Sequence, residues 1–194
     1  EMIRRAADSG RQAIVLIPEI ALTFQTVMRF YRCFGDRVSI MNSRLSAGER
    51  YDQLMRAKSG EVDVMIGPRS ALFTPFPNLG LIVIDEEHEN TYKSEQTPRY
   101  HARETAEARA KMEGASVVLG SATPSMESMY RARLGEYRLL ELKKRSREQE
   151  MADVYVTDLR EELKNGNRSI LSEKLQELME DRLNRHEQIM LFLN

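Results

Sequence analysis

The chain has 194 residues, of which 41% are hydrophobic, and its 29 lysines and arginines almost balance its 30 aspartates and glutamates. This length suits one domain or slightly more, and the balanced charge does not point to a nucleic-acid or membrane partner. The single cysteine excludes an internal disulfide and a multi-cysteine zinc site within this chain, and no apolar run reaches membrane-spanning length. We therefore expect a soluble, cytoplasmic protein.

The two ends of the sequence have an unusual pattern. The first residues are typical of a helix that stops at Gly10, yet no capping residue precedes them. The last residues, QIMLFLN, form an apolar run that is cut off at Asn194. We interpret both ends as cuts through a larger structure, so we expect the chain to be a fragment.

Short apolar runs alternate with helical patterns along most of the chain, which predicts an α/β fold with a parallel sheet covered on both faces. The predicted strands are residues 13–17, 38–41, 62–66, 81–84 and 117–119. The predicted helices carry the apolar face of Phe24, Val27, Met28 and Tyr31, the capping box of Ser46 and Glu49, the alanine-rich stretch 102–112, and the Thr123-Pro124 start.

The C-terminal part has a different organisation. The charged sequence KKRSREQE, residues 143–150, predicts an exposed linker. We predict a strand at 154–157 after it, an amphipathic helix from Ser172, and a final strand at 189–193. These elements predict a first domain over 1–145, and a linker with the start of a second domain over 146–194.

Polar, turn-forming segments directly follow the five predicted strands of the first domain: PEIALT, NSRLS, GPRSALF, DEEH and GSATPS. Ligands of open parallel sheets bind outside the carboxyl ends of the strands, so we expect these segments to line one rim. Asp85 in DEEH is well placed to hold a hydrated Mg²⁺, and a neighbouring carboxylate to orient a water. The alternative is that these acids only end a strand and begin a solvated helix.

Several of these sequences together resemble a known family. DEEH and GSAT resemble motifs II and III of superfamily 2 helicases, and IPEIALT and IGPRSALF resemble their motifs Ia and Ib. With PRYHARE, VVLGSATPSMES and the terminal LFLN, the chain resembles the primosomal replication-restart DNA helicases over essentially its whole length. The resemblance implies a RecA-like helicase lobe 1 over 1–145 and the beginning of lobe 2 over 146–194.

The resemblance implies an ATP-dependent DNA helicase that moves 3′ to 5′ and acts in replication restart, with ATP and Mg²⁺ as cofactors. Its partners would be single-stranded and forked DNA, the primosome and single-strand-binding proteins, and its zinc-binding cysteines would lie outside this chain. By the family's pattern, Asp85 would bind Mg²⁺ and Glu86 would activate the water. His88, Ser121 and Thr123 would couple the nucleotide site to the DNA path.

The resemblance also implies contacts to single-stranded DNA, mostly to its backbone, by Pro18, Glu19, Thr23, Arg69 and Ser70. TPRYHARE resembles an aromatic-rich loop that links DNA binding to hydrolysis. In it, Tyr100 and His101 offer stacking faces, and Arg99 and Arg103 offer phosphate partners. Without the resemblance, this segment is an ordinary solvated loop before a helix. Asn42 is assigned no role.

The phosphate-binding loop of this family is absent from the sequence. Its pattern is G-x-x-x-x-G-K-[ST], but no two of the ten glycines are five positions apart and no Gly-Lys pair occurs. We expect truncation rather than degeneration, and no ATP hydrolysis by the chain alone. The alternatives are a catalytically idle DNA-binding module, another superfamily 2 DNA translocase, and a metal-dependent nuclease using Asp85, Glu87 and His88.

Overall fold

A computed structural model of the chain describes residues 1–143 and 152–192. The chain divides into two units, Glu1–Leu140 and Glu141–Asn194. The predicted linker lies almost wholly outside the described residues, as does the predicted boundary between 145 and 146, which stays a prediction. Leu193 and Asn194 of the LFLN sequence also lie outside them.

The first unit is built around one parallel sheet. Its strands are β1 (Gln12–Leu16), β2 (Val38–Ile40), β3 (Val64–Gly67), β4 (Leu79–Ile84) and β5 (Ser116–Leu119), in the order β2-β3-β1-β4-β5. The five predicted strands are confirmed, with small shifts at their ends. Because all five run in the same direction, the five segments that follow them emerge at one edge, as predicted.

Helices cover both faces of this sheet. They are α1 (Met2–Asp8), α2 (Phe24–Phe34), α3 (Ala47–Lys58), α4 (Ala102–Glu113) and α5 (Met126–Arg133). Alternate residues of β1 point to opposite faces. Ile14 belongs to the core cluster with Ala106 of α4, whereas Val15 belongs to the cluster with Phe30 of α2. The predicted α/β fold is confirmed.

Helix starts in the first unit follow the sequence signals with one exception. The capping box is present, because the Glu49 N–H donates to Ser46 Oγ at 3.2 Å and the Ser46 N–H donates to Glu49 Oε2 at 2.8 Å. The predicted start at Thr123-Pro124 is wrong, since α5 begins at Met126 with Ser125 as its cap. Thr123 belongs instead to the preceding turn, where its N–H donates to Ser121 Oγ at 3.0 Å, and Ser125 Oγ accepts the Ser128 N–H at 3.3 Å as the cap.

The second unit contains two described helices, α6 (Leu159–Lys164) and α7 (Glu173–Asn184). The predicted helix from Ser172 is confirmed, and Ser172 is its cap, because Ser172 Oγ accepts the Leu175 N–H at 3.2 Å. The predicted strand at 154–157 is wrong, and residues 189–192 are not a strand either. Val154 is 81% exposed and Val156 is 95% exposed, and the described part of this unit offers no strand with which to pair. No helix among the described residues is long and apolar enough to cross a membrane.

Candidate functional site

The acidic segment DEEH begins where β4 ends. The Asp85 N–H donates to Leu16 O at 2.9 Å, and the Glu87 N–H donates to Gly120 O at 3.0 Å, so the segment is tied to the ends of β1 and β5. Glu86 has a φ of +48°, in the left-handed region that non-glycine residues seldom adopt. The chain turns sharply here, which leaves Asp85 exposed and Glu86 half-exposed while Glu87 is buried.

The carboxylate of Asp85 fits a magnesium ion that is carried by a nucleotide. Its Oδ1 accepts the Glu86 N–H at 3.1 Å, and a Cβ at Gly120 would come to 3.4 Å from the same oxygen, so the glycine keeps this side open. Mg²⁺ commonly takes one or two protein carboxylates and completes its shell with waters and phosphates. Among the described residues, no group of three or more histidines, cysteines or acids could hold a metal. Of the three residues in the nuclease alternative, Glu87 is buried and bound to Ser125 and Ser128.

His88 connects the acidic segment to the turn after β5. Its Nδ1 lies 2.7 Å from Ser121 Oγ and 3.7 Å from Glu86 Oε2, and its Nε2 lies 3.5 Å from Thr123 Oγ1. The ring is therefore in contact with both segments at once. The five residues predicted to be catalytic are brought together at one place.

A buried polar cluster lies directly behind this site. The Glu87 side chain is 2% exposed and accepts hydrogen bonds from the Ser125 N–H at 2.6 Å and from the Ser128 hydroxyl at 2.9 Å. Arg103 Nη1 lies 3.4 Å from Glu87 Oε2 and donates to the hydroxyls of Ser125 and Ser128 at 2.9 and 2.8 Å. Arg103 is only 7% exposed, which contradicts its predicted contact with a DNA phosphate. Its position indicates an internal structural role.

A cleft of about 360 Å³ opens at the same rim of the sheet. Five of the predicted DNA contacts line it, namely Pro18, Glu19, Arg69, Ser70 and Tyr100. Their chain segments follow β1, β3 and β4, so the parallel sheet brings together residues that are far apart in sequence. The cleft thus contains five of the nine residues for which the resemblance implied a contact with DNA.

Three interactions shape the cleft. Glu19 Oε1 accepts the Ser43 N–H at 3.1 Å, and the hydrogen bonds from Ser43 lower the pKa of the Glu19 carboxyl. Ionised Glu19 thereby joins the segment after β1 to the one after β2. On the other side, the Arg69 guanidinium lies 5.1 Å from the centroid of the Tyr100 ring, and Phe73 meets the same ring edge-on at 5.3 Å.

Three other predicted DNA contacts lie outside the lining of the cleft. Thr23 caps α2, since its hydroxyl oxygen accepts the Thr26 N–H at 3.3 Å. Arg99 is exposed beside a second, open hollow that it shares with Lys93. His101 caps α4 through Nδ1, which accepts the Arg103 N–H at 3.2 Å. Burial and the nearby Arg103 charge lower the pKa of His101, which favours the neutral ring that this cap requires.

Sequence reasoning missed several residues of the cleft, namely Asn42, Ser43, Arg50, Thr91 and Tyr92. Asn42 directly follows β2 and its Oδ1 accepts the N–H groups of Arg44 and Leu45, so its place after a strand was the available signal. Tyr92 gave no such signal. Its hydroxyl donates to Asp85 O at 2.7 Å, and burial followed by the Asp85 charge raises its pKa, so it remains a donor.

Residues 1–132 match the family model described as "DEAD/DEAH box helicase". The chain belongs to the DEAD/DEAH box helicase family. The predicted superfamily is therefore confirmed.

Curated relatives extend the similarity along the chain. It is 50% identical over 194 residues to "Replication restart protein PriA" of Bacillus subtilis strain 168, covering 100% of this chain and 24% of the relative. It is 44% identical over 190 residues to the protein of the same name from Synechocystis, covering 95% of this chain and 23% of the relative. The resemblance to replication-restart proteins is confirmed. The chain spans about a quarter of the length of these relatives.

Solved helicase structures are similar at a lower level. The C-terminal domain of the DEAD-box protein Dbp5 gives a TM-score of 0.43 at 16% identity, covering 66% of this chain and 72% of that chain. The Pyrococcus furiosus Hef helicase domain gives 0.40 at 16% identity, covering 68% of this chain and 26% of that chain. Similarity at this level carries no information about the site residues.

Proposed function

We propose that this chain is the central part of the motor of a longer, ATP-dependent DNA helicase of replication restart, which moves 3′ to 5′ along DNA. The observation that carries the proposal is the position of two features at one rim of one sheet. The exposed Asp85 and the half-exposed Glu86 stand at the end of β4, and the cleft with Arg69 and Tyr100 opens at the same edge. A motor requires such a pairing of a nucleotide site with a nucleic-acid groove.

Asp85 and Glu86 have different tasks in this proposal. Bound MgATP would supply the phosphoanhydride whose cleavage drives movement, with Asp85 as the protein ligand of the metal. Glu86 would orient the attacking water and accept its proton. His88 bridges Glu86 to Ser121 and Thr123, so it would pass a change at the acids to the turn after β5.

The cleft would hold the sugar-phosphate backbone of single-stranded DNA, with Arg69 near a phosphate and Tyr100 beneath a base. Contacts of this kind are independent of base sequence, which suits a motor. The wider assignments follow from family resemblance: action in the cytoplasm at stalled and forked DNA, with the primosome and single-strand-binding proteins as partners, and with zinc bound outside this chain.

The absence of G-x-x-x-x-G-K-[ST] from this sequence supports a second statement, namely that the chain alone does not hydrolyse ATP. Without that loop, no row of backbone amides holds the phosphates beside Asp85. We expect the purified chain to show no DNA-stimulated ATP turnover, measured as phosphate release. Turnover by the chain itself would contradict this statement.

The main test uses Glu86→Gln in the full-length protein that carries this chain. Because the amide cannot accept the water's proton, we expect ATP binding to persist while DNA-stimulated turnover falls by about 10² or more. Glu89→Gln, a change in the same segment, is the matched control and is expected to retain turnover. Retained turnover in Glu86→Gln would remove Glu86 from its role.

Two rival functions give different results with the wild-type full-length protein. A catalytically idle DNA-binding module would bind single-stranded DNA without any stimulation of ATP turnover. Another superfamily 2 translocase would hydrolyse ATP on DNA but would fail to separate the strands of a forked substrate. Strand separation that depends on ATP and on a 3′ single-stranded tail supports the proposed helicase.

A further inference from the structure

The main-chain carbonyl of Asp85 lacks a donor from the neighbouring strand. β1 and β4 are parallel with Leu16 opposite Ile84, and the Asp85 N–H donates to Leu16 O at 2.9 Å. In a parallel ladder of this register, the Asp85 carbonyl would accept the N–H of residue 18. That residue is Pro18, which has no N–H to donate. The hydrogen bond of this carbonyl must therefore come from elsewhere.

Tyr92 supplies the missing donor. Its hydroxyl donates to Asp85 O at 2.7 Å, and the tyrosine is 1% exposed within the same core cluster as Leu16 and Ile84. A buried carbonyl without a partner is unfavourable, so this hydrogen bond completes the end of β4. The position of the Asp85 backbone, and with it the direction of the carboxylate, depends on where Tyr92 lies.

The short segment that carries Tyr92 also faces the cleft. Tyr92 ends the 3₁₀ helix Asn90–Tyr92 and lines the cleft. The neighbouring Thr91 carbonyl accepts a hydrogen bond from Arg69 Nη1 at 3.1 Å, and Arg69 stacks on Tyr100. A ligand that draws Arg69 towards itself therefore acts on the segment that holds the Asp85 carbonyl.

We infer that Tyr92 is a positioning residue that transmits the occupancy of the cleft by single-stranded DNA to the carboxylate of Asp85. The inference rests on the proposed function, because the occupant and the reaction are those proposed above. Tyr92 contacts no reacting atom in this scheme. It acts through one hydrogen bond to the backbone of the residue proposed to hold the metal.

The test is Tyr92→Phe in the full-length protein, since this change removes only the hydroxyl. We measure the ratio of ATP turnover with an oligothymidylate to turnover without it. We expect this ratio to fall roughly fivefold or more, because one hydrogen bond of this kind corresponds to about that factor. Oligothymidylate affinity should stay close to wild type, and the variant should stay folded at the assay temperature although its melting temperature falls, because the Asp85 carbonyl loses its donor. Retained affinity separates transmission from binding.

Tyr137→Phe is the matched control. The Tyr137 hydroxyl is also hydrogen-bonded to a protein group, Glu107, but neither residue lines the cleft or touches the acidic segment. We expect this variant to keep the wild-type ratio. An unchanged ratio in Tyr92→Phe would overturn the inference. If oligothymidylate does not stimulate ATP turnover by the wild-type protein, the proposed function is wrong, and the inference that rests on it is wrong as well.

A second variant separates the loss of transmission in Tyr92→Phe from the loss of stability. Pro18→Ala introduces an N–H at the ladder position opposite the Asp85 carbonyl, and the φ of −54° and ψ of 139° at Pro18 are open to alanine. We expect Pro18→Ala/Tyr92→Phe to recover the melting temperature but not the lost ratio, because the new N–H satisfies the Asp85 carbonyl without linking it to Thr91 and Arg69. A ratio that stays low with DNA affinity retained supports the inference, and recovery of the ratio contradicts it.

Discussion

Arg103 Nη1 lies 3.4 Å from Glu87 Oε2, and the two side chains are only 9% and 2% exposed. Glu87 belongs to the acidic segment after β4, whereas Arg103 belongs to the first turn of α4. The hydroxyls of Ser125 and Ser128 at the start of α5 complete the cluster. Three segments of the rim are thus joined through one enclosed ion pair.

We expect Arg103→Ala to lower the free energy of unfolding of this unit by about 3–5 kcal/mol, because it leaves the buried Glu87 charge without its partner. Arg99→Ala removes an exposed arginine from the same loop and should change stability by less than about 0.5 kcal/mol. Denaturant unfolding of the full-length variants measures both. Equal, small effects of the two changes would show that the Glu87–Arg103 pair does not support the rim.

The dependence of DNA affinity on salt gives a second check of the same pair. A side chain that contacts a phosphate of a single strand contributes roughly 0.7 to the slope of log affinity against log salt. We expect Arg69→Gln to reduce that slope by about this amount, and Arg103→Gln to leave it unchanged at a temperature where the protein is folded. A reduced slope for Arg103→Gln would restore its originally predicted contact with DNA.

The contact between His88 and Ser121 predicts strongly non-additive effects on turnover. His88→Ala and Ser121→Ala each break the same 2.7 Å contact between the acidic segment and the turn after β5. We expect each variant to lose about tenfold in DNA-stimulated ATP turnover, and the double variant to lose little more. Steady-state phosphate release at saturating DNA measures the three variants. Multiplied losses in the double variant would mean that the two residues act independently.

His101 predicts a loss of stability in mild acid. Its pKa in the folded protein is lowered below the ordinary value of 6.5, chiefly by burial, so folding favours the neutral ring. This contribution is complete above pH 6.5 and is lost as the pH falls from there towards the lowered folded pKa. Melting temperatures between pH 7 and pH 5 measure it.

The variant for this pH prediction is His101→Asn, which keeps a side-chain acceptor at the cap of α4 but does not titrate. We expect its melting temperature to fall less than that of the wild type over the same pH interval. His186→Asn changes an exposed histidine in the second unit and serves as control, with the wild-type pH dependence expected. The same slope in all three proteins would contradict a role for His101 protonation.

Local signals were sufficient for most of the first unit. Alternating apolar runs predict the strands, and once the strands are parallel, the segments that end them must share a rim. Features that depend on contacts between residues far apart in sequence could not be predicted. α5 begins after Ser125, whose N–H is bound to Glu87 Oε1 from the segment after β4, and the strand predicted at 154–157 has no described partner.

In the candidate site, too, some residues could be predicted from the sequence and others could not. The sequences DEEH and GSAT were enough to predict which acids and which histidine form the candidate site, because these side-chain types have a recognisable chemistry. The burial of Arg103 was not predictable, because an arginine beside aromatic residues is equally typical of a DNA contact, and Glu87 becomes its partner only in three dimensions. The role of Tyr92 depends on a hydrogen bond that Pro18 cannot make, which requires the register of two strands.

Glu86 adopts a φ of +48°, a conformation that suits glycine or asparagine better than glutamate. At this residue, the conformational preference of the backbone and the chemistry of the side chain favour different amino acids. Redesign that matches every residue to its local geometry would replace this glutamate early, and under the proposed function the product would be more stable but unable to hydrolyse ATP. Disagreement between a residue and its backbone therefore marks a position whose side chain should be tested for a chemical role.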